Sequence, residues 1–167
     1  MHNPSVLIVV SGLPGVGKTT IARELARVTR AVHVRIDAIE QALRDAGQEV
    51  FGEGYLLAHG VAEEHLREGL IVIADCVNPW PLTRDEWRDV ADRAGVPVLE
   101  VEIVCSDVAE HRRRVESRQA DISGHELPTW QEVIERDYRP WGRECLVLDS
   151  AQLTVEQSVQ AILKLLP

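Results

Sequence analysis

Two hydrophobic periods take turns along this chain. Unbroken apolar runs near residues 5–10, 32–36, 70–74, 98–104 and 145–148 read as buried strands. Near 18–29, 38–46, 55–68, 84–94, 107–118, 129–138 and 154–166 the pattern changes to helices with one buried face. Ile21, Ala22, Leu25 and Val28 form such a stripe early in the chain, and Leu153, Val155, Val159, Ile162, Leu163 and Leu166 form one at its end. Strands that are apolar throughout, with helices between them, predict an α/β fold of three layers: a five-stranded parallel sheet with helices on both faces. Ligands of such sheets gather at the carboxyl ends of the strands.

One stretch breaks the alternation. Residues 119–128, Gln-Ala-Asp-Ile-Ser-Gly-His-Glu-Leu-Pro, are polar and lie between helices that carry several arginines. We expect a mobile lid there rather than a plain connection, because loops of this length in a compact domain usually serve function. The 167 residues fit one domain, 1–167, and 45% apolar content suffices for a core on both faces of a sheet. The 27 acidic residues outnumber the 18 basic ones. That balance argues against a nonspecific nucleic-acid or anionic-membrane surface, so any cationic site must be local. Cys76, Cys105 and Cys145 lack metal-ligand spacing and suit small buried hydrophobes in a reducing compartment. With no basic leader and no apolar run of about 20 residues, no membrane association is expected and the expected location is the cytoplasm.

Between the first strand and the first helix stands Gly12-Leu13-Pro14-Gly15-Val16-Gly17-Lys18-Thr19-Thr20. Glycines at this spacing let the backbone turn so that its N–H groups point inward, and the following helix adds its positive end. The result is a cradle for the phosphates of a nucleoside triphosphate. Lys18 is expected to bridge the β- and γ-phosphates, and the Thr19 hydroxyl to take one position on Mg2+.

Asp37 follows the second strand, where a carboxylate beside the triphosphate could take the proton of an accepting hydroxyl; N-capping of the next helix is the simpler role for it. Asp75 ends the continuous apolar strand Leu70-Ile71-Val72-Ile73-Ala74, the position of a carboxylate that holds magnesium directly or through water. Together with the glycine loop, Val34-Arg35-Ile36-Asp37-Ala38-Ile39-Glu40-Gln41-Ala42-Leu43 resembles the P-loop kinases that include chloramphenicol phosphotransferase and the polynucleotide 5′-hydroxyl kinases. The resemblance implies that Asp37 is the general base. Polynucleotide kinases carry an arginine for a substrate phosphate where this chain has Glu40, a departure that speaks for a neutral or cationic acceptor.

Arg114 and Arg118, four apart in the expected helix, share a face beside the lid and would clamp the transferring phosphoryl group; Arg113 points away. Their spacing is similar to the lid arginines of nucleoside monophosphate kinases, and Arg136 and Arg139 resemble the second pair across that lid. Asn78 and Trp80 are expected in the acceptor pocket and Trp87 in the core. Trp130, Tyr138 and Trp141 either stack on the acceptor or anchor the lid hinge. Asp149, after the last strand, resembles the loop that passes the adenine, while Ser150 or Thr154 caps the closing helix.

These features point to an ATP- and Mg2+-dependent phosphotransferase acting on a hydroxyl of a small molecule. A polynucleotide or nucleotide kinase is the first competitor, opposed by the acidic surface and Glu40. A regulatory NTPase is the second, opposed by the lack of a guanine-reading N-K-x-D sequence. Oligomeric state stays open.

Overall fold

The structure is a computed structural model that describes residues 4–167. Five parallel strands, β1 (Leu7–Ser11), β2 (Val32–Arg35), β3 (Val72–Asp75), β4 (Val98–Val104) and β5 (Leu146–Asp149), lie in the order β2-β3-β1-β4-β5. The helices are α1 (Lys18–Thr29), α2 (Ile36–Asp45), α3 (Glu53–Arg67), α4 (Pro81–Ala94), α5 (Val108–Ser117), α6 (Trp130–Glu135) and α7 (Val155–Leu163). The expected three-layer α/β architecture is present.

The central strand explains the sandwich. Successive side chains of β1 point to opposite faces, so Ile8 and Val10 join a core with α1 and α7, whereas Leu7 and Val9 join a second core with α3 and α4. Trp87 is fully buried in the second core, as its helical spacing implies. Burial of residues such as Ile21 and Leu25 stabilises the α1 face by roughly 1.5–3 kcal/mol each.

Register then gathers the polar tips. Val10 and Arg35 both pair with Asp75, and Ser11 pairs with Glu102, so Ser11, Arg35 and Asp75 reach the same edge of the sheet. β1 connects toward β2 on one side while its neighbour β4 connects toward β5 on the other, and this divergence opens a crevice at this edge.

The boundaries differ from expectation in three places that matter. α2 starts at Ile36 with Arg35 as its N-cap, so Asp37 sits in the first turn and is not a cap. α5 ends at Ser117, and Arg118 follows in extended backbone with φ −71° and ψ 152°. Arg114 and Arg118 therefore do not share a helical face. α6 stops at Glu135 rather than near 138, because Arg136 and the chain leading to Arg139-Pro140 turn extended. Among the described residues no helix is long and apolar enough to cross a membrane.

Candidate active site

The loop after β1 takes the shape its glycines permit. Gly12, Gly15 and Gly17 have φ of +146°, +82° and +105°, the region open to glycine at little cost. A Cβ on Gly12 would stand 2.3 Å from the Ile103 carbonyl oxygen, and one on Gly15 would stand 2.5 Å from Val115 Cγ2. The loop thus lies flat on β4 and α5. His111 of α5 holds it from behind, with Nε2 2.8 Å from the Pro14 carbonyl. No side chain caps the start of α1, which leaves its first N–H groups free for an anion.

Lys18 lies inside this cradle, and its ammonium donates to the Leu13 carbonyl at 2.9 Å. Burial pulls its pKa below the usual lysine range, opposed by the charges of Asp75 and Asp37. A phosphate that replaced the Leu13 oxygen would restore that lost stabilisation of the cation.

Beside it, the Thr19 hydroxyl donates to Asp75 Oδ2 at 2.8 Å, and the same oxygen lies 3.0 Å from His33 Nε2. Burial alone would raise the Asp75 carboxyl, but the His33 hydrogen bond and the nearby Lys18 charge outweigh it and keep it ionised below the ordinary carboxylate range. A hydroxyl and a buried carboxylate in contact are hard oxygen donors of the kind Mg2+ takes alongside phosphate oxygens, so the residues fit that ion. His33 was not apparent as a partner from the sequence; its place two residues before Arg35 on β2 is the signal that could have found it.

A cavity of about 1050 Å³ opens from the loop to α2 and the lid. Lys18, Thr19, Asp37, Glu40, Arg118 and Arg136 all border it. Six arginines line it in an acidic protein, the local cationic site that the overall charge required. Asp37 is about half exposed at the cavity wall, and among the described residues its nearest basic side chain is His125, with Nε2 3.8 Å from Oδ2. Glu40, 20% exposed, faces Arg44 at 3.6 Å, and burial pushes its pKa up. With Arg44 and Arg136 beside it, Glu40 gives the acceptor end mixed charge. Two arginines thus stand beside the carboxylate from which a neutral or cationic acceptor is expected.

Gln119, Asp121 and residues 124–128 border this cavity. Asp121 binds Arg35 through both oxygens at 2.8 and 3.1 Å and also meets Arg23 of α1. Those two arginines hold its carboxyl far below the ordinary range. Gly124, at φ +78°, packs on Gln41.

Four expected site residues lie elsewhere or are already engaged. Asn78 is buried with φ 52° and donates to Ser11 Oγ at 2.9 Å, which ties the tip of β1 to the loop after β3 and leaves Val77 at the cavity wall instead. Trp80 lies outside the cavity and its indole N–H donates to Asp137. Asp149 accepts from the backbone N–H groups of Ser106 and Ala151, both at 3.0 Å, and does not border the cavity. Arg114 does border it, but its guanidinium is held by Glu110 and by the hydroxyl and carbonyl of Ser150. Arg118 is the freer cation: its Nε is buried with no partner among the described residues.

Arg139 pairs with Asp137 and gives its carbonyl to Arg84 rather than facing the cavity. Tyr138 and Trp141 pack on the same Arg84, with the guanidinium 4.3 Å from the Trp141 ring centre, so they anchor the chain after the lid. Trp130 meets His111 edge to face at 5.0 Å. Thr154, not Ser150, caps α7, in a capping box with Gln157.

A glycine loop closing on a helix start, with a Thr–Asp pair at the tip of the adjacent strand, defines the P-loop kinase fold. Solved structures share it. The adenylyl-sulfate (APS) kinase of Mycobacterium tuberculosis, solved with AMPPNP and APS, matches at TM-score 0.73 and 18% identity over 97% of both chains. A gluconokinase from Sinorhizobium meliloti matches at TM-score 0.67 and 21% identity over 99% of this chain and 95% of its own. At 27% identity, the chain is similar to a probable adenylyl-sulfate kinase of Aeropyrum pernix over 96% of its own length and 91% of the relative's. The family described as AAA domain matches residues 7–136, and the chain belongs to it. These relatives do not carry the narrower resemblance to chloramphenicol phosphotransferase or polynucleotide kinase.

Proposed function

We propose that the chain is an ATP-dependent phosphotransferase that moves the γ-phosphoryl group to a hydroxyl of a small molecule. The observation that carries the proposal is that Asp37, which among the described residues has no basic partner closer than 3.8 Å, shares one cavity with Lys18 and Thr19. The relatives named as adenylyl-sulfate kinase and gluconokinase are kinases of small molecules, which supports the same class.

The steps follow from the residues. The loop N–H groups and Lys18 hold the phosphate chain, and Arg118 adds charge where the phosphoryl oxygens become more negative. Mg2+, held by Thr19 and Asp75, would neutralise phosphate charge when bound. Asp37 orients the acceptor hydroxyl and takes its proton as the new P–O bond forms and the bond to the leaving ADP breaks. The lid keeps water from competing as acceptor. Positioning and electrostatics supply most of the acceleration.

The test is a transfer screen with radiolabelled ATP and Mg2+ over sugars, sugar acids, adenylyl sulfate, nucleosides and antibiotics, run on the wild type and on Asp37→Asn. We expect an acceptor-stimulated turnover that the variant loses while it still binds ATP. Equal losses of ATP binding and transfer in the variant would remove Asp37 from the role of base.

A further inference from the structure

His125 is the lid residue that reaches the reacting end of the cavity. Its side chain is only 12% exposed, its Nε2 lies 3.8 Å from Asp37 Oδ2, and its Nδ1 is buried with no partner among the described residues. No fixed structure in α2 brings it there; the lid does. Four residues earlier, Asp121 is bound by Arg35 at the tip of β2 and by Arg23 of α1. One residue earlier, Gly124 lies against Gln41 of α2, so closely that a Cβ would stand 3.2 Å from the Gln41 amide nitrogen. Between these two fixings a tight turn, with the His125 N–H on the Ile122 carbonyl at 3.1 Å, sets the direction of the imidazole.

We propose that His125 is a positioning residue for the phosphoryl transfer, delivered to Asp37 by a lid that Asp121 fastens to Arg23 and Arg35. The inference rests on the proposed role of Asp37 as base. A further approach of about 1 Å as the lid settles would turn the 3.8 Å contact into a hydrogen bond from Nε2–H to Oδ2. One carboxylate oxygen is then fixed by the lid, and the other is left to accept the proton of the acceptor hydroxyl. A base held by a mobile cover is in its working orientation only when the cover is down. The lid would thereby couple exclusion of water to activation of the acceptor. The proton and electron balance of the transfer is unchanged, since His125 keeps its own proton throughout.

The decisive experiment has one arm that needs no acceptor. In the full chain with ring-labelled histidine, the His125 ring signal is assigned by its loss in His125→Gln, and its position is recorded in the wild type, Asp37→Asn and Asp121→Ala. Both substitutions should move the signal. A ring signal unchanged by either one would overturn the proposal, whatever the enzyme does.

The second arm uses an acceptor found in the transfer screen. His125→Leu should lower kcat by up to about 100-fold with little change in KM for ATP, the scale of a misaligned reacting group. His125→Gln, which keeps a side-chain N–H, should recover part of that loss. Transfer lost in Asp37→Asn but kept in His125→Leu would overturn the role of His125 and leave the base in place. Transfer kept in Asp37→Asn would instead overturn the proposed base.

Discussion

The Thr19 hydroxyl donates to Asp75 Oδ2 at 2.8 Å, joining the first turn of α1 to the tip of β3 across 56 residues of sequence. His33 holds the same carboxylate oxygen from β2, so three elements meet at one buried charge. Such a charge is tolerated because Oδ2 has two partners, and it is oriented because those partners are on rigid elements.

From this contact we expect Asp75→Asn to weaken Mg2+-dependent ATP binding by about tenfold or more, because hydrogen bonds to charged groups contribute about 1.5–3 kcal/mol. Titration calorimetry with Mg2+ and again with excess EDTA checks it. The variant and wild type should differ with the ion and converge without it. The same difference in both conditions would mean that Asp75 supports the loop rather than the ion.

Gly12 gives a second expectation. Its φ of +146° and the 2.3 Å approach of a notional Cβ to the Ile103 carbonyl leave no place for a side chain. Gly12→Ala should cost about 1–3 kcal/mol from backbone strain alone, with a further cost if β4 is displaced, and should lower ATP affinity as the cradle deforms. Urea unfolding and ATP titration measure the two effects. Gly17→Ala, where a Cβ meets nothing within 4 Å, separates strain from crowding because it carries the positive φ without the clash.

What the sequence disclosed follows from which contacts are local. The glycine loop, the strand-to-helix order and Asp75 were legible because their chemistry lies within a short window or at the end of an apolar run. Arg118 was expected on the face of a helix that in fact ends at Ser117, since its place depends on a lid whose contacts span from Asp121 to Arg23 and Arg35. Asn78 and Trp80 were expected in the pocket for their position after β3, but Asn78, in left-handed backbone at φ 52°, donates inward to Ser11. His33, His111 and His125 were the hardest to read, because each meets a residue more than 40 positions away.

Arg84 shows how the far wall is held. Its guanidinium donates to the carbonyls of Asn78, Pro79, Arg139 and Pro140 while stacked on Trp141. One planar cation thus fastens the loop after β3 to the chain after the lid. Arg84→Met should destabilise the fold by more than about 3 kcal/mol, since several buried carbonyls lose their partner at once. Arg84→Lys should recover less than half, because an ammonium cannot match four acceptors set around a flat fork. The midpoint of urea unfolding reads both variants. A midpoint within error of wild type for Arg84→Met would mean that water replaces the guanidinium without penalty.

His59 makes stability depend on pH in a window of its own. It packs edge to face on Trp87 with ring centres 4.5 Å apart, and its Nε2 is buried without a partner among the described residues. Burial, helped by the Arg93 charge, lowers its pKa from 6.5 to about 4. Because the folded pKa lies below the unfolded one, the unfolded chain binds the proton more tightly. The contribution of neutral His59 is therefore whole above pH 6.5 and is lost as the pH falls from there to about 4. The carboxylates behave differently: Glu110, held down to about 2 by Arg113 and Arg114, loses its contribution only from about 4.5 downward. Stability that declines between pH 6.5 and 4.5 thus belongs to groups like His59 and not to the acidic pairs. Replacing His59 by Gln removes the titrating group, so the stability difference between wild type and variant should shrink steadily over that interval in urea unfolding. A difference that stayed constant from pH 7 to 4.5 would show that His59 accepts its proton in the folded chain as readily as in the unfolded one.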